Sequence, residues 1–264
     1  MALTKIDCQI YRSQGINPDA SLYAVLNPSK EPGSLVAAGT IAARENIGGQ
    51  VACRLALEHF LNVILEIGEA RKLASETVQE REDACLDAIE NAFRRANTSV
   101  YEFGHKLAAG GRMAASLIGF YISERVVAVG RAGNVSAYLL RAGEICPFFT
   151  DSLSAQRETG FIGENSVVTV ELSSIVLKEH DKVVAFPSLL SQEQLVRLKG
   201  VAFRLGLGER VTLDTLVAEI YSDQEEIPFV LEAEIGPEVI YLGKAERAAL
   251  PKKQLRPNLK RADV

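Results

Sequence analysis

Apolar and polar positions change their period several times along the chain. Short runs with strand-like character come first, at Ile6–Tyr11, Ser21–Leu26 and Ser34–Ala42. Turn formers separate them: Gly15, Asn17-Pro18-Asp19, and Asn27-Pro28 through Pro32-Gly33. After Gly48-Gly49 the spacing becomes helical. Val51, Leu55, Phe60, Val63-Ile64 and Ile67 lie in a segment apolar nearly all round, which predicts a helix buried on more than one side. A cleaner helix is predicted from about Ser75 to Glu102. Cys85, Leu86, Ile89, Phe93, Ala96 and Val100 share one face, most charges lie elsewhere, and Thr77 with Glu80 has capping-box spacing. Past Gly110-Gly111, four runs predict an antiparallel meander: Ala114–Ile122, Arg125–Gly130, Ser136–Arg141 and Glu144–Phe149. Its tight turns fall at Ser123-Glu124 and Arg141-Ala142-Gly143. Further strands are predicted at Ser166–Leu172, Lys182–Phe186, Pro228–Ile235 and Glu238–Leu242. Ser191 and Thr212 are placed to cap short helices running to Lys199 and Tyr221, with Gly206–Gly208 turning between them. Helices fall in blocks rather than after every strand. That ordering predicts an α+β fold with antiparallel sheets and helices packed on their faces.

Composition narrows the function. The chain has 264 residues, 47% of them hydrophobic, and a net charge of −5. A core of that size excludes wholesale disorder, and the acidic balance argues against nucleic acid as a partner. No apolar run approaches the roughly 20 residues a membrane span needs. The start, MALTKIDCQIYRSQG, has no signal-peptide core. Cys8, Cys53, Cys85 and Cys146 are scattered, without a C-x-x-C pair. They are expected to be reduced thiols of a cytoplasmic protein, not a zinc or disulfide framework. No glycine-rich phosphate loop occurs, and His59, His105 and His180 lack a G-x-S-x-G partner. The final stretch differs. Lys244–Val264 holds seven basic and two acidic residues. It is expected to be a basic tail (244–264) on a domain spanning 1–243, able to dock on an acidic surface of the chain or of a partner.

One segment carries a recognisable pattern. Val129-Gly130-Arg131-Ala132-Gly133-Asn134-Val135-Ser136-Ala137-Tyr138-Leu139-Leu140-Arg141 resembles the strand–turn–strand signature of the PPM-type (protein phosphatase 2C-like) metal-dependent Ser/Thr phosphatases. Gly133-Asn134-Val135-Ser136 stands where that family has G-D-S-R. Other pieces follow in the family's order. Asn17-Pro18-Asp19 resembles N-E-D, and Glu45-Asn46-Ile47-Gly48-Gly49 resembles D-G-M-G-G. Gly111–Leu117 resembles R-G-M-G-T-T-L, and Phe149-Thr150-Asp151 resembles L-T-x-D. Thr159–Gly163 resembles the segment ending in L-G. Asp181–Leu190 resembles D-x-L-L-L-C-S-D-G-L, and Glu225–Val230 sits where D-N-I-T-V-V would be. The resemblance implies an α-β-β-α sandwich of two mainly antiparallel sheets flanked by helix pairs.

It also implies a chemistry. The family holds two Mn²⁺ or Mg²⁺ ions that share an attacking water. Hard divalent ions need several oxygen donors, mostly carboxylates. Here that donor set is altered. Asp19 matches the first carboxylate. Glu45 replaces the bridging Asp with a longer side chain, and Asn46 replaces the Gly whose carbonyl serves a metal. Glu225 or Glu226 stands for the last Asp. Ser188, neutral, stands for the carboxylate of S-D-G, and Asn134 for the acid of G-D-S-R. Gln14 occupies the spacing of the phosphate-contacting Arg, with Arg12 two residues off. The expectation is a pseudophosphatase with a degraded two-metal site, binding a phosphoprotein or kinase-like protein. Residual Mn or Mg at Asp19, Glu45, Asn46 and Glu225 belongs to the alternative, an active but atypical phosphatase.

Overall fold

The computed structural model describes residues 2–12, 17–26, 33–70, 77–107, 113–149, 160–221 and 227–240. Among these residues, ten strands form two five-stranded sheets. One has the order β1 (Ala2–Tyr11), β10 (Val230–Ile240), β9 (Lys182–Phe186), β6 (Ser136–Arg141), β7 (Glu144–Pro147). The other runs β2 (Ala20–Leu26), β3 (Ser34–Ala42), β4 (Ala115–Ser123), β5 (Val126–Ala132), β8 (Glu171–Val176). Every pairing is antiparallel. Helices α1 (Ile47–Ala70) and α2 (Val78–Lys106) cover the second sheet. Helices α3 (Gln192–Gly206) and α4 (Leu213–Ile220) cover the first. The architecture is the expected α-β-β-α sandwich.

The four layers explain the continuous apolar runs. Strands buried on both faces need apolar residues at every position, while the pleat sends successive side chains to opposite layers. On β4, Ile118, Phe120 and Ile122 enter the core between the sheets, whereas Leu117 and Tyr121 face α1 and α2. On β9, Val183 and Ala185 point inward while Val184 and Phe186 meet α3 and α4. Two glycines let large rings into these layers. A Cβ on Gly39 would lie 2.5 Å from the Phe229 ring, and one on Gly119 would lie 2.5 Å from the Phe60 ring.

Local signals set several boundaries. Thr77 and Glu80 close the full capping box on α2, and Ser191 with Gln194 closes another on α3. Both helices run further than expected, to Lys106 and Gly206. The β6–β7 turn places Ala142 and Gly143 at φ 50° and 86°, the left-handed pair a two-residue hairpin requires. The β4–β5 turn falls at Glu124-Arg125, one residue later than expected.

Two strand expectations are corrected. Ser166–Val170 is not a strand. Asn97 of α2 donates to the carbonyls of Asn165 and Ser166 at 3.1 and 3.2 Å, and Val168 and Val170 pack on the α1–α2 layer. The strand begins only at Glu171. Pro228–Ile235 and Glu238–Leu242 are not separate strands either. β10 is continuous through Gly236-Pro237, because the register slips there: Thr4 pairs with Glu238 but Ile6 with Ile235. A bulge accommodates proline, which has no N–H to offer the ladder, and β9 pairs only with Leu231–Glu234.

Candidate functional site

The register brings several of the family-like segments to one rim of the sandwich. β2 starts there after Asp19, and β3 ends there before Glu45 and Asn46. Ala42 pairs with Ala115, Leu117 with Ala132, and Ser136 with Phe186. Residues far apart in sequence thus meet at strand ends, where loops carry chemistry on a rigid frame.

Asp19 is fixed through its backbone. Its N–H donates to Asn17 Oδ1 at 2.9 Å, and its carbonyl accepts from the Ala42 N–H at 2.7 Å. The Cys53 thiol of α1 reaches the same carbonyl at 3.4 Å. The side chain is half-buried, and Oδ1 is fully buried with no hydrogen-bond partner among the described residues. An unsatisfied buried acceptor of this kind costs about 1–3 kcal/mol. A cation, or an N–H from a neighbouring segment, would satisfy it.

Glu45 and Asn46 lie at the β3–α1 junction, and both are exposed. Asn46 is the N-cap of α1. Its Oδ1 accepts the Gly49 N–H at 2.8 Å and its carbonyl accepts the Gln50 N–H at 3.0 Å. The residue standing at the family's metal-serving glycine thus uses both oxygens in capping α1, each accepting one N–H. Gly49 is required by packing, since a Cβ would lie 2.3 Å from the Arg44 carbonyl. The capping role of Asn46 was legible in the sequence, as an Asn just before an apolar helical run.

Asn134 is exposed in the β5–β6 connection. Its N–H donates to Ser116 Oγ at 3.2 Å, and Gly133 turns there at φ 79°, with Ser116 Oγ where a Cβ would fall. Ser136 is buried and its hydroxyl donates to the Ser188 carbonyl at 2.7 Å. That bond holds the Pro187-Ser188 loop against β6, while the Ser188 side chain is exposed. The rim thus joins Asn134, Ser136 and Ser188 as structural ties. Gln14, Gly111-Arg112, Thr150-Asp151, Thr159, Glu225 and Glu226 lie outside the described residues.

Sequence reasoning missed Arg131. Buried at the end of β5, it grips Glu171 of β8 with Nε at 3.1 Å and Nη2 at 2.9 Å. Nη1 donates to the Val135 carbonyl at 3.1 Å, and the guanidinium lies 4.7 Å over the Phe149 ring. This fork ties β5, β8 and the connection carrying Asn134 into one unit. The only available signal was a charged residue inside an apolar strand run. Asp181, at the far end of β9, is likewise structural. Arg141 Nε binds its carboxylate at 3.0 and 3.1 Å, and the Lys178 N–H adds a bond at 2.7 Å. The bond to Asp181 raises the Arg141 pKa further, against the opposing effect of burial.

A cavity of about 550 Å³ opens beside the rim, lined by Asn46, Ile47, Gly48, Val51, Phe103, Leu107 and Met113. None of these described lining side chains is charged. Among the described residues, no three His, Cys, Asp or Glu side chains come together as a metal-holding group. Of the family-matched donors, Glu45 carries an exposed carboxylate, and Glu225 and Glu226 lie outside the described residues. Asp19 has a free carboxylate oxygen, but Asn46 is engaged in capping and Ser188 is neutral.

Among solved structures, the chain is similar to a bacterial serine phosphatase at 14% identity and a TM-score of 0.65, covering 89% of this chain and 100% of that one. It is similar to PppA, described as a key regulatory component of the T6SS in Pseudomonas aeruginosa, at 14% identity and a TM-score of 0.59, covering 89% and 100%. It is also similar to the catalytic domain of the Ser/Thr phosphatase PstP, solved with two manganese ions, at 13% identity and a TM-score of 0.57, covering 90% and 100%. The fold is that of the PPM-type Ser/Thr phosphatases. No protein-family model matches the chain, and no curated protein sequence matches it significantly. The PPM fold therefore persists here at an identity where side-chain chemistry is free to differ. No helix among the described residues is long and apolar enough to cross a membrane.

Proposed function

We propose that this chain is a pseudophosphatase: a PPM-type fold whose two-metal site is degraded and which serves as a protein-binding module in signalling, with a phosphoprotein or kinase-like partner in the cytoplasm. The observation that carries this reading is the use of the rim residues. Asn46 caps α1 with both oxygens, and Ser136 holds the Ser188 carbonyl. Two adjacent divalent cations need negative oxygen donors between them, and Ser188 supplies a neutral hydroxyl where the family has a carboxylate. The test is turnover of a chromogenic aryl phosphate with roughly millimolar Mn²⁺. No turnover above the metal blank is expected; turnover that Glu45→Ala abolishes would overturn the reading.

A second reading rests on Asp19, whose Oδ1 is buried without a partner. A single cation held by Asp19, with Glu45 and Glu225 as further donors, would satisfy that oxygen and leave an atypical phosphatase as the alternative function. Calorimetric titration with Mn²⁺ decides it. Saturable binding that Asp19→Ala removes supports this second reading, and flat titrations reject it.

A further inference from the structure

We propose that the outward face of α3 is a docking site for an acidic amphipathic helix of a partner protein. The inference does not depend on whether the rim binds metal. It starts from the apolar pattern of α3. Leu198, Val201 and Ala202 form the buried side, packed on the first sheet and α4. Val196, Phe203 and Leu207 point the opposite way and are 66%, 60% and 66% exposed. With Gly200 they recur at steps of four, three and four, which places all four positions within one narrow stripe. Among the described residues nothing covers this stripe, and a contiguous exposed apolar patch marks an interaction surface.

Gly200 supplies an independent reason. It lies mid-helix on this stripe, and an added Cβ would meet nothing within 4 Å. A glycine there weakens the helix relative to alanine, and no contact among the described residues requires its small size. A second helix crossing the stripe at that point would require it, because the missing Cβ lets two backbones approach closely.

Charge selects the occupant. Lys199, beside Gly200, is exposed and has no ion-pair or hydrogen-bond partner among the described residues, and the same holds for Arg210 just past the helix. The acidic groups on this face are already committed. Glu193 binds Arg197 at 2.5 Å, and Glu219 binds Arg204. A second copy packed antiparallel across Gly200 would set two Lys199 side chains against each other. The chain's own segment 244–264 carries seven basic and two acidic residues and is repelled as well. A helix with an apolar seam and acidic flanks complements both the stripe and its uncompensated cations.

The experiment uses the full chain and a synthetic 18-residue helical peptide with a Leu/Ala seam flanked by Glu, together with a twin flanked by Lys. Fluorescence anisotropy measures affinity, and amide chemical shifts locate the contact. Saturable binding of the Glu-flanked peptide is expected, with shifts at Gly200, Phe203 and Leu207. Binding of the Lys-flanked twin should be at least about tenfold weaker. Phe203→Glu and Gly200→Leu should each weaken binding about tenfold or more, without lowering the urea midpoint. Gly200→Ala should raise that midpoint yet weaken binding, a pairing that a purely structural glycine does not give. The proposal is overturned if the Glu-flanked peptide does not saturate at millimolar concentration or if both peptides bind equally. It is also overturned if sedimentation shows a dimer that Phe203→Glu dissociates, since the occupant is then a second copy.

Discussion

Replacing Lys182 with methionine will destabilise the protein by about 3–5 kcal/mol at pH 7 and by far less, or not at all, near pH 4. Lys182 of β9 lies between two carboxylates of β10. Its Nζ is 2.9 Å from Glu232 Oε1 and 3.0 Å from Glu234 Oε2. Glu232 is 1% exposed, and its Oε2 has no hydrogen-bond partner among the described residues. Burial raises the Glu232 pKa, and the bond and charge of Lys182 oppose that rise. Burial is also the largest influence on Lys182 and pulls its pKa down, yet the two carboxylates carry it above the usual lysine value. Methionine fills similar volume but leaves the Glu232 carboxylate buried and unpaired. Glu234 is about one-third exposed, so solvent screens most of its share.

The pH dependence follows from the direction of the shifts. A carboxyl whose folded pKa lies above its unfolded value favours folding fully below the unfolded value, about 4.3. It loses that contribution as pH rises towards the folded value. Without Lys182 the folded value of Glu232 climbs further, so the variant loses more stability on the way to neutrality. Near pH 4 the wild type buries an ammonium whose anions are being neutralised, and the two proteins converge or change order. Urea unfolding at pH 4 and pH 7, with equal m-values, measures this. Adding Glu232→Gln to the methionine variant should recover most of the neutral-pH loss. A loss of equal size at both pH values, unrelieved by the second substitution, would refute the reasoning.

Three further outcomes follow from single contacts. Asn46→Ala should cost about 1 kcal/mol by uncapping α1, and Asn46→Gly only a few tenths; a glycine variant less stable than the alanine one in urea melts would contradict the capping role. Gly39→Ala forces a methyl to 2.5 Å from the buried Phe229 ring. It should cost about 1–3 kcal/mol, relieved by Phe229→Leu in the same chain. Burial pushes the Cys53 thiol up to about 12, with Thr40 opposing and Asp19 adding to the rise. Burial likewise pushes Cys8 up to about 11, with Asp7 and Glu232 adding to it. Both should resist iodoacetamide at pH 8 until the protein is unfolded; rapid native labelling of Cys53, read by mass spectrometry, would contradict its burial.

The sequence determined much of the fold because its signals are local. The capping box at Thr77 and Glu80, the left-handed turn at Ala142-Gly143 and the apolar runs of β3, β4 and β9 each depend on a few neighbouring residues. By resemblance alone it offered Asp19, Glu45, Asn46, Glu225, Asn134 and Ser188 as candidate positions for the family chemistry. Local signals failed where distant partners decide. Ser166–Leu172 reads as strand, but Asn97 of α2 captures the carbonyls of Asn165 and Ser166, and the strand begins only at Glu171. Gly236-Pro237 reads as a break, but pairing with β1 carries the strand through on a bulge. What each rim residue does was decided only by tertiary structure. Asn46 and Gly49 share one cap, whereas the Ser136 bond to Ser188 spans 52 residues and the Arg131 grip on Glu171 spans 40. Hydrogen bonds and ion pairs depend on distances of a few ångströms, and only the folded chain brings such separated groups within that range.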